Sequence, residues 1–205
     1  MTIQMNSLLL IVLAICLYSC EQVKHEESGR ELASANLNDT IPGRSYEEIK
    51  KEIQAQRRAF SVKYSPQTLL TEDHDDLTNF WIKTISEDLF AKWQNTPWDF
   101  NGTTTVPRQG AIACGYFVTT ILQHMDVKLN RIRLSTCASS EMMKSLTPHQ
   151  PIKRLNHLSY ADFNNMLPEY GKGVYVVGLD FHTGFISMMV KKIGLFTLII
   201  LGERA

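Results

Sequence analysis

Two side chains have the type and setting for covalent chemistry. Cys114 stands in "AIACGYFVTTILQ" (residues 111–123), where a cysteine and a glycine open an apolar run. Phe117, Val118, Ile121, Leu122 and Met125 fall on one side of a helix beginning at Cys114. A helix N-terminus carries partial positive charge and unpaired N–H groups, so it stabilises a thiolate. A thiolate is the attacking species of cysteine hydrolases, and the same N–H groups can hold a tetrahedral oxyanion. Gly115 would let a substrate come close to the backbone. The base that such chemistry needs is offered by "LDFHTGF", with His182 at the start of a predicted strand. It can stand over the helix terminus only if the sheet packs on that helix. Free cysteine is often merely a buried small residue, so the pair carries the argument and neither member alone does.

The elements that would position this pair follow from pattern. "SYEE" reads as a capping box with Ser45 as N-cap and Glu48 at N3. The helix it opens runs to about Tyr64, with Ile49, Ile53 and Phe60 on one face. "TEDHDD" (71–76) reads as a solvated turn with Asp76 capping the next helix, Leu77–Trp93. That helix repeats its apolar face every four residues, at Leu77, Trp81, Ile85, Leu89 and Trp93. "NTPWDFNG" ends it with proline and glycine, and a loop leads to Cys114. A further helix is expected over Leu134–Leu146, with Cys137 packed inside it, and a short one over Tyr160–Leu167 behind Ser159. Then the pattern changes. "GVYVVGLD" (173–180), "HTGFISMMV" (182–190) and "LFTLIIL" (195–201) read as consecutive antiparallel strands. Helices preceding strands give an α+β fold.

The N-terminus stands apart. "LLLIVLAICL" (8–17) is too short to span a bilayer and fits the apolar core of an export signal. "LYSC" follows at once, a pattern resembling the bacterial lipobox, which implies lipidation of Cys20. The expected division is 1–19 signal peptide, 20–44 polar tether and 45–205 folded domain. Cys114 and Cys137 are then the two thiols of the mature domain, and an exported compartment leaves a bridge between them open. The 21 basic and 21 acidic side chains balance, which argues against nucleic acid as the main partner. No cysteine pair has zinc-ligand spacing, and no metal or organic cofactor is implied.

The region 96–190 resembles the NlpC/P60 cysteine peptidases, relatives of the papain fold. In that family a "PYxxGG"-like loop precedes a "DCSG" helix start, and the histidine opens a strand as "HVGIY". Here "PWDFNG" precedes "ACGYFV", and "HTGFI" follows. Ala113 and Gly115 replace the Asp and Ser that flank the family cysteine. The resemblance implies N-terminal helices packed on a small antiparallel sheet. It also implies amide hydrolysis in peptidoglycan stem peptides, with Cys114 as nucleophile and His182 as base. Trp98 and Asp99 would flank the cleft, and Gln109 would be an upstream oxyanion donor. The family's third polar residue, which orients the histidine, falls on the next strand, where Thr197 is the polar side chain of "LFTLIIL". The chain ends four residues beyond that run, short of the family's further strands, so a truncated C-terminus is expected. An incomplete triad leaves an alternative of another class, a non-catalytic envelope lipoprotein that keeps the fold as a binding module. Either way the chain is expected outside the cytoplasm, held at the membrane by its lipid.

Overall fold

A computed structural model describes residues 11–12, 43–64, 74–148, 152–179, 181–189 and 192–196, the backbone alone at 11–12 and 192–196. Cys20, Asp180 and Thr197 lie outside the described residues. Helix α1 (Tyr46–Lys63) begins at the expected capping box: Ser45 Oγ accepts from Glu48 N–H, and the Glu48 carboxylate accepts from Ser45 N–H. Ile49 and Ile53 are buried, and Phe60 packs partly exposed against Phe80.

Helix α2 (Asp75–Lys83) starts two residues earlier than expected, with His74 at the N-cap position. Asp76 does not cap it. Its carboxylate takes Lys63 Nζ at 2.6 Å and Tyr64 Oη at 2.6 Å, tying the end of α1 to the start of α2. From Lys83 the chain continues into a π-helical segment (Thr84–Leu89) and then α3 (Phe90–Trp93). The Phe90 N–H reaches back to Ile85 O, five residues away. This explains the sequence repeat of four. In an α-helix such a repeat drifts around the axis, and the wider π turn restores Ile85, Leu89 and Trp93 to one buried line.

Helix α4 (Cys114–His124) crosses the centre, followed by α5 (Arg131–Ser135) and α6 (Ser139–Leu146). The single helix expected over Leu134–Leu146 is thus broken, and Cys137 sits in the break. The local cause is the small polar side chains. Ser135 Oγ and Thr136 Oγ1 both donate to Ile132 O, competing for the carbonyl that would continue the helix. Helix α7 (Tyr160–Met166), capped by Ser159, runs into a 3-10 turn (Leu167–Tyr170).

Strands β3 (Gly173–Gly178), β4 (Thr183–Met189) and β5 (Lys192–Phe196) form an antiparallel sheet in sequence order. Gly178 pairs with Thr183, and Phe185 with Phe196. The third strand begins at Lys192, before the Leu195 expected from the sequence. Both faces of β3 are buried. Val174 and Val176, with Phe185 of β4, join the main core with α1, α2 and α4. Tyr175 and Val177, with Ile186 and Met188, join a second cluster with Phe163 and Leu167. The sheet therefore lies between two helical layers, an α+β arrangement. Within the apolar N-terminal run, β1 (Ile11–Val12) pairs in parallel with β2 (Lys153–Arg154). Among the described residues, no helix is long and apolar enough to cross a membrane.

Candidate active site

Helix α4 presents Cys114 at its first position. Ala113 supplies no side-chain cap, so the N–H groups of the first turn are not taken by one. The strand β4 enters beside this terminus, and His182, immediately before β4, hydrogen-bonds the Cys114 thiol. The backbone N–H groups of Thr183 and Gly115 also point at the sulfur. Burial pushes the Cys114 thiol up. The hydrogen bond and charge of His182, then the two N–H groups, pull it down further, so its pKa lies below the ordinary thiol value. His182 is held by its hairpin: its carbonyl accepts from Leu179 N–H at 2.7 Å, and Thr183 Oγ1 donates to Val177 O at 2.9 Å. Both Cys114 and His182 are partly exposed, as a reacting pair must be.

The loop before α4 is fastened to it. Ile112 N–H donates to Pro97 O at 3.0 Å, and Ala113 N–H to Gly102 O at 2.8 Å. Trp98 and Thr103 both bridge to Ile112. Gly102 is required here, because a Cβ would fall 2.5 Å from the Ile112 nitrogen. Trp98 is 39% exposed, so it stands beside the start of α4 with its ring partly free. Asp99, exposed beside it, shapes the turn: its Oδ1 accepts from Asn101 N–H at 2.7 Å.

Arg131, which the sequence reading missed, clamps the loop. Its Nη2 donates to Thr103 O and Thr104 O, each at 2.9 Å, and its Nε to Thr120 Oγ1 at 2.7 Å. The guanidinium also stands 4.7 Å from the Tyr116 ring centre. Nothing local announces these acceptors, since all but Tyr116 are backbone or hydroxyl groups brought in by the fold.

Two expected roles change. Gly115 does not open the backbone to a substrate. It is buried, and a Cβ there would fall 2.3 Å from Ser135 O, so its lack of a side chain lets α5 lie against α4. Gln109 is exposed in the 104–111 loop, where its N–H turns back to Val106 O, and the structure does not join it to the Cys114–His182 pair. Cys114 and Cys137 are both free thiols, so the disulfide left open by the sequence is not formed. Thr197 lies outside the described residues.

Among the described residues, no group of three His, Cys, Asp or Glu could hold a metal ion. A cavity of about 230 Å³ beside Arg44 and Asp88 and an apolar one of about 80 Å³ among Trp81, Ile85, Leu122 and Phe185 include neither Cys114 nor His182. No protein family, curated protein or solved structure matches this chain.

Proposed function

We propose that this chain is an exported lipoprotein cysteine hydrolase of papain-like, NlpC/P60-like architecture, cleaving amide bonds in peptidoglycan stem peptides. The observation that carries the reading is the hydrogen bond between Cys114, at the uncapped start of α4, and His182, immediately before β4. The thiolate attacks the amide carbon, and the oxygen takes the charge beside the first-turn N–H groups of α4. His182, as imidazolium, gives its proton to the leaving amine, so the C–N bond breaks and a thioester remains. Water then attacks the thioester. His182 accepts its proton, the C–S bond breaks, and the acid product leaves with the thiolate regenerated. Trp98 borders the cleft, where its ring would pack against the substrate. Thr197 would orient His182 as the third residue, and lipidation at Cys20 would hold the enzyme at the membrane near its polymeric substrate.

Hydrolysis of purified muropeptides tests the reading. The wild type turns over slowly, because a hydroxyl supports imidazolium less than a charged partner; losing such a partner costs about 10⁴-fold in serine proteases. Cys114→Ala and His182→Ala abolish turnover, and Thr197→His raises it. Turnover in Cys114→Ala equal to that of the wild type removes the hydrolase reading. Binding of muropeptides without any turnover replaces it by the binding module.

A further inference from the structure

The segment 135–139, which joins α5 to α6, packs at one end on Gly115, the residue after Cys114, and at the other on Gly178 of β3. At one end the Ser135 carbonyl lies where a Gly115 Cβ would be, 2.3 Å from that position. At the other, Ser139 Oγ lies 2.3 Å from the position of a Gly178 Cβ. Gly178 pairs across the hairpin with Thr183, whose N–H points at the Cys114 sulfur. Cys137 is the midpoint of this segment. Two residues of chain span at most about 7 Å, so its Cα lies within that reach of both pinned residues. A disulfide joins cysteines whose Cα atoms are about 4.4–6.8 Å apart, which is the approach that the Cys137 turn must make to Cys114. Both thiols are free and partly exposed. Cys137 lies in the turn between the helices, packed partly buried against the main core, and its thiol hydrogen-bonds Leu134 O at 3.2 Å. It can therefore swing without unwinding a helix.

We propose that Cys137 is the resolving thiol of Cys114, so that a hydroperoxide converts the pair into a reversible disulfide that silences and shields the nucleophile. The proposal rests on the reading of Cys114 as a nucleophile and adds a control to that site. In the first step the Cys114 thiolate attacks one peroxide oxygen. The O–O bond breaks, the sulfur is oxidised to a sulfenic acid, and the peroxide is reduced to an alcohol or water, with His182 supplying the leaving oxygen's proton. In the second step the Cys137 sulfur attacks the Cys114 sulfur. The S–S bond forms, the S–O bond breaks, and the hydroxyl leaves with the Cys137 proton as water. Two thiols and one peroxide give one disulfide, one alcohol and one water. A thiol reductant returns both cysteines. Without a resolving thiol, further peroxide drives the sulfenic acid to a sulfinic acid, which reductants of this kind do not reverse. The N–H groups and His182 that lower the Cys114 pKa make it the first thiol to react.

The test treats the full chain, dilute and reduced, with one equivalent of hydrogen peroxide and maps its peptides without reduction. The expected product is a Cys114–Cys137 peptide pair lighter by two hydrogen atoms. Dithiothreitol restores both thiols and the alkylation of Cys114. In Cys137→Ser the same dose leaves Cys114 as a dimedone-reactive sulfenic acid, and excess peroxide makes its loss irreversible. Circular dichroism establishes that this variant is folded. Sulfinic acid forming at Cys114 equally fast in wild type and Cys137→Ser, with no internal link, overturns the proposal, as does Cys114 linked only to a second chain. The mapping reads no hydrolysis. A chain that cleaves amides but forms no link sinks this proposal alone, and one that forms the link but cleaves nothing sinks the hydrolase reading alone.

Discussion

Acid should weaken this fold through His124, at the far end of the helix that begins with Cys114. Trp93 Nε1–H donates to the Tyr46 hydroxyl at 2.7 Å, and an indole nitrogen can only donate. The hydroxyl proton is then directed to His124 Nδ1, 2.6 Å away. This chain of donors requires Nδ1 to accept, which makes His124 the neutral Nε2–H tautomer. Burial, followed by the positive charge of Lys50, holds its pKa down to about 4, with Glu47 opposing and Arg131 assisting. In an unfolded chain the value is about 6.5. Between those two values the unfolded state binds the extra proton, so stability falls as pH falls. The contribution is complete above about pH 6.5 and drains away toward pH 4. A gap of about 2.5 units at about 1.4 kcal/mol each amounts to about 3 kcal/mol. The assay is urea unfolding at pH 7 and pH 4 for wild type and His124→Gln. Glutamine does not titrate, and the carboxylates common to both chains cancel in the comparison. Wild type should lose about 3 kcal/mol more than the variant over this range. Parallel pH profiles for the two chains would refute the assignment of a partly buried, neutral His124.

Three further outcomes follow from the site and its supports. Iodoacetamide near pH 7 should label Cys114 before Cys137, and His182→Ala should slow that labelling; faster reaction at Cys137 contradicts the thiolate assignment. Because the Cys114 pKa is lowered, its labelling should also persist to lower pH than that of an ordinary thiol. Gly102→Ala and Gly115→Ala each force a Cβ against backbone, 2.5 Å from Ile112 N and 2.3 Å from Ser135 O respectively. Each should cost about 1–3 kcal/mol and lower Tm by roughly 2–12 °C, and an unchanged Tm would mean that neither contact is tight. Metabolic labelling with a fatty-acid analogue should mark the wild type and spare Cys20→Ser; equal labelling of both removes the lipid anchor.

The amino-acid sequence by itself determined what depends on neighbours a few positions away. Ser45 and Glu48 define a helix start through contacts three residues apart, and Ser159 does the same for α7. Runs of β-branched and aromatic residues in "GVYVVG" and "TGFISMM" mark two strands, and their order with the helices gives the α+β class. A cysteine at the head of an apolar helix was legible for the same reason, and so was a histidine at the head of a strand. Periodicity says nothing about which carbonyl or ring another element will bring. The π turn at Thr84–Leu89 was visible only as a repeat slightly too long for an α-helix, and packing of Ile85, Leu89 and Trp93 in one core resolved it. The break at Thr136 and Cys137 depends on hydroxyls choosing between backbone acceptors. Gly115 looked like room for a substrate, but the space beside it is occupied by Ser135 from another helix. Tyr46, Trp93 and His124 meet across α1, α3 and α4, and Arg131 reaches its loop carbonyls across α5 and α4. The same holds for the pair itself. Sequence supplied a thiol and an imidazole, but their meeting depends on the β3–β4 register, with Gly178 opposite Thr183, and on the sheet lying against α4. Those are long-range contacts, fixed only when the whole core packs.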